Sequence, residues 1–420
     1  MGAGSARTDA TAAGAEAVAR RSYGRLLALL AAHGGDIQLA EDCLHDAFVQ
    51  ALRAWPASGL PDNPEAWLLT VARHRRLDVV RSASRRYDVP LDEGANAGAL
   101  AVLHELDPDA IPDRRLALLF VCAHPAIDAA VHAPLMLQTV LGVDARDVAR
   151  AFAVPESAMA QRLVRAKRRI RDARIPFVVP DRAQMPARLA PVLEAVYGAY
   201  AIDFPIVAGS TPRESLAVES RHLACTLAEL LPAEPEALGL AALISLSLAR
   251  RDAREADGAF VPLDEQDPAR WDAALIAEGE HFLRRARALD RIGRFQLEAA
   301  IQSVHCARAT SGVTDWGALR TLYGALVGIA PTLGARVAHA AAIGRVEGAE
   351  AGLAALDAID ALGRDAAHRF QPLWAARAHL LAAADRRAEA LHAYERAISL
   401  TADRAARHYL ERQRATLAGC

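Results

Sequence analysis

Apolar residues recur at intervals of three and four along most of the chain, the spacing of helices with one buried face. YGRLLALLAAHGG (23–35) reads as a helix stopped by Gly34 and Gly35. DIQLAEDCLHDAFVQALRAW (36–55) reads as a second, with Asp36 as its N-cap and an end before Pro56. Its apolar face is Leu39, Ala40, Cys43, Leu44, Ala47, Phe48 and Ala51, while Asp42, His45, Asp46, Gln50 and Arg53 lie opposite. The turn-rich loop PASGLPDNP leads into a long helix, EAWLLTVARHRRLDVVRSASRR (65–86). Asn63 or Asp62 caps that helix and Pro64 falls in its first turn.

The pattern changes at two places. Residues 87–110 are acidic and carry glycine and proline, which suits a linker, and IPFVVPDRAQMP (175–186) cannot continue a helix. The expected organisation is a disordered tail (1–15), a helical module (16–86), the linker (87–110), a second helical module (111–176) and a helical extension (177–420). Within the extension, DGAFVPLDEQDPARWD (257–272) reads as a loop. Near its end, the order L–A–R–AEA–Y–RAI–L resembles one tetratricopeptide repeat, with Ala378, Ala388 and Ala397 where paired helices touch. GAEAGLAALDAI (348–359) reads as an earlier, degenerate copy.

Composition agrees with an all-α chain. Alanine and leucine dominate, aromatics make up 5%, and 420 residues exceed what one compact core organises. A net charge of −2 gives no sign of a polyanion partner, so any nucleic-acid argument rests on local charge. Nearly all basic residues are arginine, and Lys167 is the sole lysine. The five cysteines are scattered without a CxxC pair, which fits reduced thiols and argues against a zinc knuckle. The N-terminus lacks an apolar signal core and no apolar run reaches membrane-spanning length, so a soluble, cytoplasmic protein is expected.

Local charge is concentrated in two places. Between residues 146 and 174, nine positive residues face three negative ones. A short helix (144–152) burying Val148, Ala149 and Phe152 precedes a tight turn, and Pro155 opens the basic helix. Met159, Leu163, Val164 and Ile170 are its expected buried stripe. Two short helices with a tight turn match a helix-turn-helix, whose second helix enters the major groove by its N-terminal residues. Glu156, Ser157, Ala160 and Gln161 then face base edges, and Arg162, Arg165, Lys167 and Arg168 reach phosphates. A solvated basic face on a structural helix is the plain alternative.

The second patch, ARHRRLDVVRSASRR (72–86), carries six arginines against one aspartate. Arg73, Arg75 and Arg76 beside Trp67 and the PDNP loop form the kind of surface that captures single-stranded DNA, with Asn63 as a base hydrogen-bonder. Trp67 packing into a helical core is the competing reading. The acidic face of Asp42, His45, Asp46 and Gln50 reads either as solvated or as a protein-docking surface.

In this order the segments resemble the extracytoplasmic-function (ECF) class of bacterial RNA polymerase sigma factors. AEDCLHDAFVQALRAW resembles region 2.2, NPEAWLLTVARHRRLDVVR regions 2.3–2.4, and DARDVARAFAVPESAMAQRLVRAKRRIR region 4.2. The resemblance implies a region 2 helical bundle, a region 4 helix-turn-helix domain and a C-terminal helical domain. It also implies core RNA polymerase as partner, through Asp42, His45, Asp46 and Gln50 on the β′ clamp helices and through region 4 on the β flap. Asn63, Trp67, Arg73, Arg75 and Arg76 would serve the −10 element, and Glu156, Ser157, Gln161, Arg162, Arg165, Lys167 and Arg168 the −35 element of promoter DNA. IPDRRLALLFVCAHPAI, PLDEQDPARWDAALIAEG and FQLEAAIQSVHC resemble the subgroup with a TPR-like C-terminal extension, often called ECF42. That subgroup is associated with small DGPF-domain (YCII-related) proteins. The chain departs from its pattern at YGAYAID (197–203), ARVAHAAAI (335–343) and Val121–Cys122–Ala123.

Two other functions fit parts of the pattern: a helix-turn-helix regulator with a TPR-like sensor domain, and a TPR-like scaffold whose basic helices bind acidic proteins. An enzyme is not expected. The carboxylates of PLDEQDPARWD read as solvated, and no GxSxG, HExxH, P-loop or paired metal-ligand spacing is present. Neither a metal nor a cofactor is expected.

Overall fold

A computed structural model describes residues 22–24, 26–31, 37–87, 113–152, 154–172, 179–203, 214–256, 259–362, 367–401 and 403–419. The expected N-terminal tail, the Asp36 cap and residues 88–110 of the expected linker lie outside them. The fold is all-α. Among the described residues the strands are one short antiparallel pair, Glu255–Ala256 with Ala259–Phe260. The chain forms two compact units, residues 1–203 with 212–226, and 204–211 with 227–420.

In the first unit, helical residues 26–31 bury Leu26, Leu27 and Leu30 beside α1 (Ile37–Ser58) and α2 (Pro64–Tyr87), which pack on each other. Trp55, fully buried on α1, meets Trp67 of α2 edge-on at 5.4 Å. Helix α1 does not end before Pro56 but runs two residues past it. In a last turn the missing proline N–H costs a single bond. The Ser58 hydroxyl donates to the Ala54 carbonyl at 3.0 Å, and Gly59, at φ 84°, closes the turn onto Trp55.

The remaining helices of this unit are α3 (Arg114–Cys122), α4 (Ala129–Thr139), α5 (Ala145–Ala151), α6 (Glu156–Asp172), α7 (Met185–Asp203) and α8 (Glu214–Leu230), the last up to Thr226. Asp113 and Asp128 cap α3 and α4 by accepting from the backbone N–H two residues on. Helix α7 packs on α3 and α4, and α6 rests on α5, α4 and α1. Leu116, Leu119, Phe120, Leu135, Met136 and Val192 are fully buried in this core. Arg115 bridges Asp113 and Glu219, tying α3 to α8.

The second unit is built around α9 (Pro235–Leu248), whose every residue except Glu236 is buried. An apolar surface on all sides places a helix inside a bundle, and α10 (Ala273–Arg287) and α11 (Arg294–Cys306) both pack on it. Glycine permits the approach. A Cβ at Gly239 would lie 2.7 Å from the Gln296 nitrogen, and one at Gly279 2.6 Å from the Leu246 Cγ. Helices α12 (Trp316–Ile329), α13 (Leu333–Glu347), α14 (Ala349–Leu362), α15 (Gln371–Ala383), α16 (Arg387–Leu400) and α17 (Arg404–Gly419) follow, each packed on its neighbour in the chain. Ala378 and Ala397 are buried between helices as expected, but Ala388 is exposed, and Ala390 and Ala393 take the contact instead. Arg386 precedes α16, so position 388 falls in its first turn, on the outward side.

Candidate nucleic-acid and protein interface

Helices α5 and α6 are joined by a tight turn. The Val154 N–H donates to the Ala149 carbonyl at 3.0 Å, and the Pro155 carbonyl accepts from Met159 at 3.0 Å. Pro155 therefore stands just before α6 and supplies the pre-set φ that starts it. The buried stripe of α6 is Met159, Leu163, Ala166 and Ile170, and it seats the helix on its neighbours. Val164, expected in that stripe, is instead 65% exposed. It sits about 100° around the helix from Leu163, so the core that takes Leu163 cannot take Val164. Phe152 is also corrected, from buried to 41% exposed, because it lies past the end of α5 where the chain turns outward.

The outward surface of α6 carries Glu156, Ser157, Ala160, Gln161, Val164, Arg165 and Arg168, with Arg162 and Arg169 on its flank. Arg165 Nε donates back to the Gln161 carbonyl at 3.2 Å, and Arg168 approaches Asp172 at 3.4 Å. These are exposed contacts of the kind that contribute little to stability. Lys167 is placed differently from the other candidates. Its ammonium is largely buried in an ion pair with Glu41 of α1, at 2.6 and 2.8 Å from the two carboxylate oxygens.

On α2, Arg75 donates to Asp46 at 2.8 Å in an exposed pair, and Arg76 reaches the Leu30 carbonyl at 3.3 Å. Burial holds the Arg76 guanidinium below its ordinary range, whereas the hydrogen bond to Asp46 raises that of Arg75. Arg73 is half-buried. Trp67 is half-buried against Trp55, so the packing reading of this residue describes its position. Asn63 is exposed, and its Oδ1 accepts from the Ala66 N–H at 3.0 Å. That N-cap occupies the carboxamide oxygen and leaves its NH2 group facing outward. The structure therefore places Asn63 at the N-cap of the helix that carries Arg75, Arg76 and Trp67 but turns the indole inward.

Asp42, His45, Asp46 and Gln50 all lie on the exposed side of α1. Val49 and Leu52, 37% and 51% exposed, stand among them. Sequence reading missed these two, although both fall outside the run of apolar residues that forms the buried face. An acidic surface with apolar side chains inset is suited to another protein, since apolar contact supplies affinity and charge supplies orientation. Burial first, then the nearby Asp46 and Asp42, raise the Cys43 thiol behind this face, which keeps it protonated.

No group of three or more His, Cys, Asp or Glu side chains that could hold a metal occurs among the described residues. No described helix is long and apolar enough to cross a membrane. The arrangement offers two binding surfaces: a basic helix-turn-helix face, and an acidic–apolar face on α1 with arginines on the adjoining α2.

Two stretches of the chain match known families. Residues 18–86 match the sigma-70 region 2 family, and residues 188–287 match a family of unknown function (DUF6596). The uncharacterized protein R00370 of Rhizobium meliloti is 35% identical over 383 residues, covering 90% of each chain. The probable ECF RNA polymerase sigma factor SigI of Mycobacterium tuberculosis is 32% identical over 145 residues, 34% of this chain and 49% of that protein. No solved structure matches.

Proposed function

We propose, from the premise that this chain belongs to the same family as R00370 of Rhizobium meliloti and carries a sigma-70 region 2 domain, that it is an ECF-type sigma factor. Its role is to bind core RNA polymerase and direct initiation at promoters with its own −35 and −10 elements. It performs no covalent chemistry; it lends base recognition to an enzyme that lacks it. It works in the cytoplasm, where the polymerase is.

The observation that carries this reading is the joining of a region 2 match to an exposed basic helix-turn-helix face in one compact unit. A regulator needs only the second. On this reading, Glu156, Ser157, Gln161 and Val164 meet base edges of the −35 element in the major groove, and Arg162, Arg165 and Arg168 meet phosphates. Asn63 and the α2 arginines hold the non-template strand at the −10 element, where unstacking a base costs a few kcal/mol that pocket and phosphate contacts offset. Asp42, His45, Asp46 and Gln50, with Val49 and Leu52, dock on the β′ clamp helices, and region 4 docks on the β flap. The C-terminal helices set activity, as in the ECF42-like subgroup, with a small DGPF-domain (YCII-related) protein as the candidate partner.

Run-off transcription tests this. Core polymerase without another sigma factor, given the full chain and a library of promoter fragments, should yield discrete start sites that disappear when the chain is left out. Transcription that still requires a second sigma factor would instead identify a helix-turn-helix regulator.

A further inference from the structure

Helices α14, α15 and α16 line an open cavity of about 350 Å³ in the second unit. Buried Leu353, Leu381 and Ala393 make its floor and Trp374 one wall. The indole N–H of Trp374 donates to the His368 carbonyl at 3.1 Å, which fixes the ring. The volume is at the small end of ligand clefts, enough for a single aromatic or branched apolar group and its polar end.

Two arginine–carboxylate pairs border the floor, and they differ. Arg386 meets Glu389 through Nε and Nη2 at 2.8 and 2.7 Å and reaches Glu350 through Nη1 at 3.4 Å. This guanidinium is held by a two-point fork and by a second acid. Arg377 meets Asp357 through Nη1 at 2.6 Å. In this second pair the cation is the sheltered member, 17% exposed, and the carboxylate is the solvated one, 65% exposed. A carboxylate entering the cavity can therefore take the place of Asp357 beside Arg377 while Asp357 returns to water, with little desolvation cost on the protein side.

We infer that this cavity is a binding site for a small molecule with an apolar, preferably aromatic, body and one carboxylate. The body rests on Leu353, Leu381 and Ala393 beside Trp374, and the carboxylate bonds to Arg377 in place of Asp357. The site lies outside the region 2 match and the DUF6596 match, and it does not depend on the sigma-factor reading.

Calorimetry on the full chain with 3-phenylpropionate and with its neutral amide, 3-phenylpropionamide, tests the inference. The acid is expected to bind saturably and the amide at least about tenfold more weakly, the loss of a charge-assisted contact. Arg377→Gln should abolish the preference for the acid. Asp357→Asn removes the competing carboxylate without touching the floor and should tighten the acid several-fold. A purely structural ion pair predicts the reverse, lower thermal stability and unchanged binding. Equal binding of acid and amide, or unchanged affinity in Asp357→Asn, overturns the proposal. So does binding confined to an acetylated peptide ending in a free phenylalanine, which would assign the cavity to a protein terminus.

Discussion

The ammonium of Lys167 touches both carboxylate oxygens of Glu41, joining α6 to α1 across 126 positions of sequence. Both side chains are largely shielded, at 14% and 16% exposure, so the pair is less screened than a surface contact. On the sigma-factor reading this contact and full promoter engagement exclude each other. Elements named for positions −35 and −10 lie about 25 base pairs, roughly 85 Å, apart at 3.4 Å per pair, and helices joined by an ion pair cannot occupy both. Glu41→Gln should therefore favour the separated arrangement. We expect it to raise affinity for promoter DNA carrying both elements about three- to tenfold, on the order of 0.7–1.4 kcal/mol, measured by fluorescence anisotropy without polymerase, and to leave affinity for an isolated −35 duplex unchanged. Unchanged affinity for the two-element DNA would mean that the pair does not hold the helices against promoter binding.

Val164 makes a second prediction. A 65% exposed valine on a helix whose other outward residues are mostly polar gains nothing from folding, so its replacement should not change stability. Beside Gln161 it offers an apolar surface that suits a thymine methyl, while glutamine suits adenine. Val164→Ser should lower discrimination at one base pair of the −35 element by about 1 kcal/mol or more and leave the melting temperature within error. Arg165→Ala should weaken binding to all sequences alike and reduce the slope of log K against log salt by about 1. A matrix of single-base-pair variants, measured at several salt concentrations, separates the two effects.

The helices and the basic region were legible because periodicity and caps are local signals. Met159, Leu163 and Ile170 follow from spacing alone, and so does the exposed acidic side of α1. Val164 was not legible, because a valine adjacent to a stripe residue looks apolar to any pattern, and only the width of the neighbouring core decides whether it is covered. Lys167 and Glu41 were beyond reach for another reason: their contact depends on how two separate modules pack, and each in isolation reads as a solvated charge. Trp67 had two readings in the sequence, and a single fully buried partner, Trp55, fixes its place. The cavity on α14, α15 and α16 left no mark in the sequence, since its floor is made of the same leucines and alanines as the rest of the core.

The face of α1 should behave as a docking surface rather than a structural one. Asp42→Ala together with Leu52→Asp is expected to abolish capture of core polymerase at low ionic strength, because the charge and the apolar contact are lost together. Both positions are exposed, so folding should not suffer. Binding to an isolated −35 duplex should be unchanged. Asp46 is a poorer choice for this test, since removing it also releases Arg75 and mixes the two surfaces. Loss of both polymerase and duplex binding would point to misfolding, which a circular dichroism melt detects.

His305 gives the second unit a defined acid sensitivity. The ring is buried, its Nδ1 has no hydrogen-bond partner, and it meets Trp316 edge-on at 6.3 Å. Burial, and then the charges of Arg250 and Arg308, lower its pKa from 6.5 to about 3. The folded chain therefore keeps the imidazole neutral over a range in which the unfolded chain protonates it. Stability from this group is fully present above pH 6.5 and is lost as pH falls from 6.5 towards about 3, at up to about 1.4 kcal/mol per pH unit. His305→Phe keeps a ring of similar shape and removes the titration. Urea midpoints measured between neutral pH and about pH 4 should fall more steeply for the native chain than for the variant, so the variant's advantage should grow towards the acid end. Parallel curves across this range would place the proton on His305 in the folded state too, and the ring would then have to find a partner or water on opening.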